Sequence, residues 1–159
     1  MFVSDRQRRT EMEGNMKALI TGASSEIGKA IAKELSLRGY DLILVARNIQ
    51  KLKELQTQIN THIEVVCMDI SKEENCYQLY KEYKDINVLI NDAGLRDCGY
   101  FYQTSLEKDI QMIHTNIIGL HVLTKLYLQD MKEKDHGTIL NVASIGGFMP
   151  GPLMATYYA

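Results

Sequence analysis

Two hydroxyl side chains near the end of the chain have the chemistry for moving a proton on or off an oxygen. Tyr157 stands thirteen positions after Ser144. A phenol serves as a general acid or, once ionised, as a general base, and a serine hydroxyl can hydrogen-bond the oxygen that gains or loses the proton. A free tyrosine has a pKa of about 10, so only ~0.1% is phenolate at neutral pH. Towards the other end, Thr21-Gly22-Ala23-Ser24-Ser25-Glu26-Ile27-Gly28 forms a glycine-bounded turn. Glycines let the backbone turn tightly and come close to an anion, and the amides that open a helix add the positive end of its dipole. Arg47 supplies a guanidinium able to fork onto a phosphate. The residue types thus describe a phosphate cradle and a proton-transferring pair.

These groups need elements to hold them. Short continuous apolar runs occur at Ala18-Leu19-Ile20, Leu42 to Val45, Ile63 to Met68, Val88-Leu89-Ile90 and Ile139 to Val142. Continuous rather than alternating apolar residues predict parallel strands buried on both faces. Between them lie amphipathic segments. Ile27, Ile31 and Leu35 recur at helical spacing and Gly39 supplies a stop. Asn48 can cap a charged helix running towards Asn60, and Ser71 with Glu74 and Thr104 with Glu107 match the capping-box spacing. The last of these opens a long apolar helix through Ile113, Ile117, Leu120 and Leu126. Repeated strand–helix units with right-handed crossovers predict an α/β fold, a doubly wound parallel sheet of Rossmann type with strand order 3-2-1-4-5. The glycine turn then joins the first strand to the first helix, where a dinucleotide pyrophosphate is bound in such folds.

Taken in order, the motifs resemble those of the short-chain dehydrogenase/reductase family. The family fingerprint is Thr-Gly, three variable residues, Gly, any residue, Gly. Here Glu26 replaces the middle glycine, and its side chain has to point away from the phosphates if it is not to oppose them. Asp69-Ile70 follows the third strand, where the family places an aspartate near the adenine ring. Asn91-Asp92-Ala93-Gly94 is similar to the family's Asn-Asn-Ala-Gly, with the Asp92 carboxylate in place of an amide and unable to donate. The resemblance implies cofactor contacts at Gly22, Ser24, Ser25, Ile27, Gly28, Arg47, Asn48, Asp69, Ile70, Asn91, Ala93, Gly94 and Tyr157. It also implies a catalytic set of Asn116, Ser144 and Tyr157, with Tyr157 as acid–base, Ser144 on the substrate oxygen and Asn116 positioning a relay water. The reaction implied is hydride transfer between nicotinamide and a carbonyl or alcohol. No acid follows the second strand to hold the 2′-hydroxyl of NAD, whereas Arg47 and Ser24 suit a 2′-phosphate, so NADP is expected over NAD.

The family also carries a lysine four positions after the tyrosine, which lowers the tyrosine pKa and holds the nicotinamide ribose. That position falls past Ala159. The resemblance covers residues 16–159, about the first two-thirds of a family domain, leaving out two further strands, their helices and a substrate lid. Only about six residues remain for the helix that should carry Tyr157, and short isolated helices are marginal. The chain as given is therefore expected to be nearly inactive. The alternative is a non-catalytic dinucleotide-binding fragment or sensor, and a sugar-nucleotide epimerase is disfavoured by the Gly22-to-Gly28 interval. Ile145 to Pro152 is expected to border the substrate, with Phe148 and Met149 suiting a partly apolar one. The long helix is expected to mediate homo-oligomerisation of the parent protein.

Bulk properties narrow the setting. The chain has 159 residues, 45% hydrophobic and 24% charged, with a net charge of −2. That length suits one domain with a sizeable core. The charge offers no attraction for nucleic acid or an anionic membrane, and no apolar run reaches the ~20 residues of a bilayer span. Cys67, Cys76 and Cys98 show no ligand spacing, so no metal site is expected, and reduced thiols point to a cytoplasmic protein. Residues 1–15 are polar and read as a flexible extension, with the dinucleotide-binding domain beginning at Met16.

Overall fold

A computed structural model describes residues 16–149 and 151–159; the extension over 1–15 lies outside the described residues. Strand β1 (Lys17–Thr21) is followed by helix α1 (Glu26–Leu37), β2 (Asp41–Ala46), α2 (Ile49–Gln56), β3 (Ile63–Cys67), α3 (Glu73–Glu82) and β4 (Val88–Asn91). Helix α4 (Leu106–Ile113) then runs through a π-helical turn (His114–Gly119) into α5 (Leu120–Glu133), which leads to β5 (Thr138–Asn141), a 3-10 turn (Ile145–Phe148) and α6 (Ala155–Tyr158). The sheet has the expected order β3-β2-β1-β4-β5, and every pairing is parallel. Leu19 sits between Ile43 of β2 and Leu89 of β4.

Strand periodicity divides the apolar runs between two layers. Ala18, Ile20, Leu42, Leu44, Val88 and Ile90 pack with Ala32 of α1 and with Leu52 and Leu55 of α2. Leu19, Ile43, Val45 and Leu89 face the other way, onto Cys76 and Leu79 of α3 and onto Leu123, Tyr127 and Met131 of α5. Each fully buried leucine or valine here is worth about 1.5–3 kcal/mol of apolar transfer. The two helical layers cover both faces of the central strands and leave their C-terminal ends open. No helix among the described residues is long and apolar enough to cross a membrane.

Four local expectations are corrected. Strand β5 is not buried on both faces: Leu140 is 45% exposed and Asn141 is exposed, because β5 pairs only with β4 and forms the sheet edge. Ser71 does not cap α3: the helix opens after Lys72 without a side-chain cap, and the Ser71 amide that Glu74 would accept in a capping box goes to the Asp69 carboxylate at 3.0 Å. Ser105, not Thr104, caps α4 through Lys108 N, while the Thr104 hydroxyl bonds the Phe101 carbonyl and Asp109. Asn48 caps α2 as expected, accepting from Lys51 N at 3.0 Å, but that helix stops at Gln56 rather than continuing to Asn60.

Candidate functional site

The strand order reverses direction at β1, which has β2 on one side and β4 on the other. A crevice opens at such a switch point beyond the strand ends. Here the C-terminal ends of β1 and β4 nearly touch. Gly22 has φ +69°, and a Cβ on it would lie 2.6 Å from Ala93 N. A Cβ on Gly28 would lie 2.5 Å from the Gly22 carbonyl and 2.9 Å from Asp92 Oδ2. Both glycines are therefore demanded by close backbone approach. The Thr21 hydroxyl lies 3.3 Å from the Asp92 and Ala93 amides, which donate to it.

Ser25 anchors the turn from the other side. Its Oγ accepts the Gly28 amide at 2.8 Å and donates to Asp92 Oδ2 at 2.5 Å. The expected handicap of Asp92 as a non-donor does not arise at this contact, because the serine hydroxyl does the donating. Burial pushes the Asp92 carboxyl above its ordinary value, opposed by the Ser25 and Gly28 hydrogen bonds. Glu26 points outward as expected, its side chain 91% exposed and its carboxylate 2.9 Å from Lys29 Nζ.

Beyond the turn lies an open cleft of about 290 Å³. Of the residues assigned to cofactor binding, Gly22, Ser24, Ser25, Arg47, Asp69, Ile70, Ala93 and Gly94 line it. Gly28 sits buried beneath the turn, Ile27 is 55% exposed, and the Asn48 side chain is engaged in capping α2. Asn91 also lies apart: its amide donates to Thr124 and Asn141, tying β4 to α5 and β5. Lys51, Asp92, Leu95 and Thr115 line the cleft without having been singled out for contact with the cofactor. Lys51 follows Arg47 by four positions, and that spacing across the start of α2 was its only signal.

Asn116 lies in the π-helical turn. Its amide takes the Leu95 amide and gives to the Leu95 carbonyl, both at 2.8 Å. A Cβ on Gly119, in the same turn, would lie 2.3 Å from the Ile70 carbonyl, so this glycine lets the turn close onto the segment after β3. Such π-helical turns concentrate at functional sites. Ser144 opens the 3-10 turn, its Oγ accepting Gly146 N at 3.0 Å. Ser144 Oγ and the Tyr157 ring converge on Gly146, at 3.2 and 3.3 Å from its Cβ position. Tyr157 rides on α6, a four-residue helix, one turn long, whose cap position is Met154. Its ring meets that of Tyr158 edge-on at 5.8 Å. No hydrogen bond among the described residues joins Asn116 to the Ser144–Tyr157 pair.

Residues 16–159 match the family described as short chain dehydrogenase. The chain belongs to that family. An uncharacterized oxidoreductase of Staphylococcus epidermidis is 39% identical over 147 residues, covering 89% of this chain and 64% of that protein. A very-long-chain 3-oxoacyl-CoA reductase of Anas platyrhynchos is 36% identical over 153 residues, covering 89% of this chain and 49% of that one. The solved short-chain dehydrogenase from Sphingobium yanoikuyae in complex with NADPH is similar with a TM-score of 0.82 and 31% identity, covering 90% of this chain and 59% of that one. The chain thus spans less than two-thirds of the length of these relatives.

Members of the short-chain dehydrogenase family are oxidoreductases that use nicotinamide dinucleotides, and the walls of this cleft fit such a molecule. Both glycines of the Gly22–Gly28 turn sit too close to neighbouring atoms to carry a side chain, and Gly22 lines the cleft. Arg47 and Lys51 bring positive charge to one end, and neither is in a salt bridge among the described residues.

Proposed function

We propose that this chain is part of an NADP-dependent oxidoreductase that transfers a hydride between nicotinamide and a small carbonyl or alcohol substrate. The observation that carries the reading is the Arg47–Lys51 cation pair on the cleft wall, just past a β2 end that lacks a carboxylate. A 2′-phosphate satisfies both cations, and an unphosphorylated ribose satisfies neither. The NADPH bound to the Sphingobium relative supports the same choice.

When bound, the nicotinamide supplies or accepts the hydride at C4. The chain's own groups handle the oxygen. Ser144 Oγ already accepts the Gly146 amide, so its proton remains to be donated to the substrate oxygen. Tyr157 gives the proton in reduction and takes it in oxidation. Asn116 has used one amide hydrogen and one lone pair on Leu95, and the remaining hydrogen and lone pair are what holding a relay water requires. Phe148, 92% exposed, and Met149 offer apolar surface to the rest of the substrate.

Tyr157 sits on a helix of one turn, so its acid–base role is best tested in a polypeptide extended through a lysine four positions past it. The same proposal includes self-association through Ile110, Ile113, Ile117 and Leu128, exposed along α4, the π-helical turn and α5, and a cytoplasmic setting that keeps Cys67, Cys76 and Cys98 as thiols.

The test is NADPH consumption against a panel of aldehydes and ketones by the extended polypeptide and its Tyr157→Phe variant. Turnover that falls by several orders of magnitude in the variant is expected. Cofactor binding with no turnover on any carbonyl or alcohol would instead favour a binding-only protein.

A further inference from the structure

Two acidic residues flank the glycine turn, and the structure gives them opposite weight. Glu26 is turned to solvent and neutralised by Lys29 at 2.9 Å. Asp92 lines the cleft itself. Among the described residues, the side-chain donor on its carboxylate is Ser25 Oγ at 2.5 Å, a neutral group. No lysine or arginine forms a salt bridge with it among the described residues. The Ser25 hydroxyl is held on Oδ2, and the Gly28 amide is the other neutral donor near the carboxylate. The carboxyl rises above its ordinary value through burial, and only neutral donors pull it back. A carboxylate is thus pinned beside the anion-binding turn without a compensating cation.

We propose that Asp92 sets the affinity of the cleft: its carboxylate weakens binding of a pyrophosphate at the Gly22–Gly28 turn, while its bond to Ser25 holds that turn in place. The inference rests on the reading of the cleft as a dinucleotide site. Like charges in a partly desolvated crevice repel, and the repulsion fades as salt screens it. An asparagine at this position has the same shape and still accepts the Ser25 hydroxyl through Oδ1. The substitution removes the charge and leaves the tie.

The experiment measures dissociation constants of NADPH, NADH and adenosine 2′-monophosphate for the full chain and for Asp92→Asn, at low and high salt. Asp92→Asn is expected to bind both dinucleotides more tightly, on the order of tenfold at low salt, with the gap closing in high salt. The NADPH-to-NADH ratio should stay the same, since the 2′-phosphate lies at the Arg47 end. Adenosine 2′-monophosphate, which has no pyrophosphate, should bind both proteins alike. Equal or weaker dinucleotide binding by a folded Asp92→Asn overturns the inference and leaves the dinucleotide reading standing. Failure of both proteins to bind any dinucleotide overturns both. If Asp92→Asn does not fold, NADH binding by the unsubstituted chain must tighten as salt rises, and binding that stays the same or weakens overturns the inference.

Discussion

Asn116 and Leu95 hold each other through two hydrogen bonds of 2.8 Å, amide side chain to backbone, across twenty-one positions of sequence. One partner lies in the π-helical turn between α4 and α5, and the other lies on the cleft wall after β4. The pair therefore ties the helix that carries a catalytic candidate to the loop that shapes the cofactor cleft.

Asn116→Ala strands a half-buried amide and carbonyl, which costs about 1–3 kcal/mol. In thermal unfolding we expect a drop of about 2–10 °C, accompanied by weaker dinucleotide binding. Asn116→Asp restores the acceptor for the Leu95 amide but sets an oxygen against the Leu95 carbonyl, so it should recover little. A variant as stable as the parent would show that the clamp contributes nothing.

Gly22 and Gly28 are the positions least tolerant of a methyl group. Gly22→Ala forces a left-handed backbone on alanine and drives its Cβ into Ala93, and Gly28→Ala drives it into the Gly22 carbonyl. Each should destabilise the fold by about 1–3 kcal/mol and reduce dinucleotide affinity at least tenfold. Denaturant titration and ligand fluorescence read the two effects separately, and an unchanged affinity in a folded Gly22→Ala would remove the case for a phosphate cradle.

Lys51 forms no salt bridge among the described residues and acts on the exposed Glu26 only through its charge, so its replacement reads mainly ligand binding. Lys51→Ala should leave the melting temperature within about 1–2 °C, weaken NADPH several-fold and leave NADH nearly unchanged. Equal losses for the two cofactors would place Lys51 on some part of the ligand they share.

Asp92 also gives stability a pH dependence. Its carboxyl is raised in the folded chain by burial, so the native state binds that proton more tightly than the unfolded chain does. Stability from this group is thus fullest at low pH and falls as pH rises from about 3.9 through the raised folded value, then levels off. Asp92→Asn should lack that fall. Melting curves of the two proteins should diverge across this window in favour of the variant, and parallel curves would contradict the assignment.

The five strands, their order and the glycine turn follow from local patterns: continuous apolar runs, glycines at close backbone approaches, and asparagine at a helix start. Local patterns failed where a long-range partner decided the outcome. The tie between Ser25 and Asp92 spans 67 positions, and neither side chain announces the other. Lys51 is one of several charges on α2, and only the fold brings the start of that helix to the cleft. The π-helical turn at His114–Gly119 shifts the buried face to Met112, Thr115, Gly119 and Leu123 and leaves Ile113 and Ile117 exposed, which a regular helical period does not foresee. Ser71 met the spacing of a helix cap, yet Asp69, two residues earlier, took its amide first.

Recognition of a 2′-phosphate by Arg47 and Lys51 is put to the test by titrating NADPH and NADH into the chain and into the Arg47→Ala, Lys51→Ala double variant. The chain should prefer NADPH by at least about tenfold, as charge-assisted contacts of about 1.5–3 kcal/mol imply, and the double variant should lose this preference while still binding NADH. Equal affinity for the two cofactors, a preference for NADH, or a preference for NADPH that survives the double substitution would contradict it.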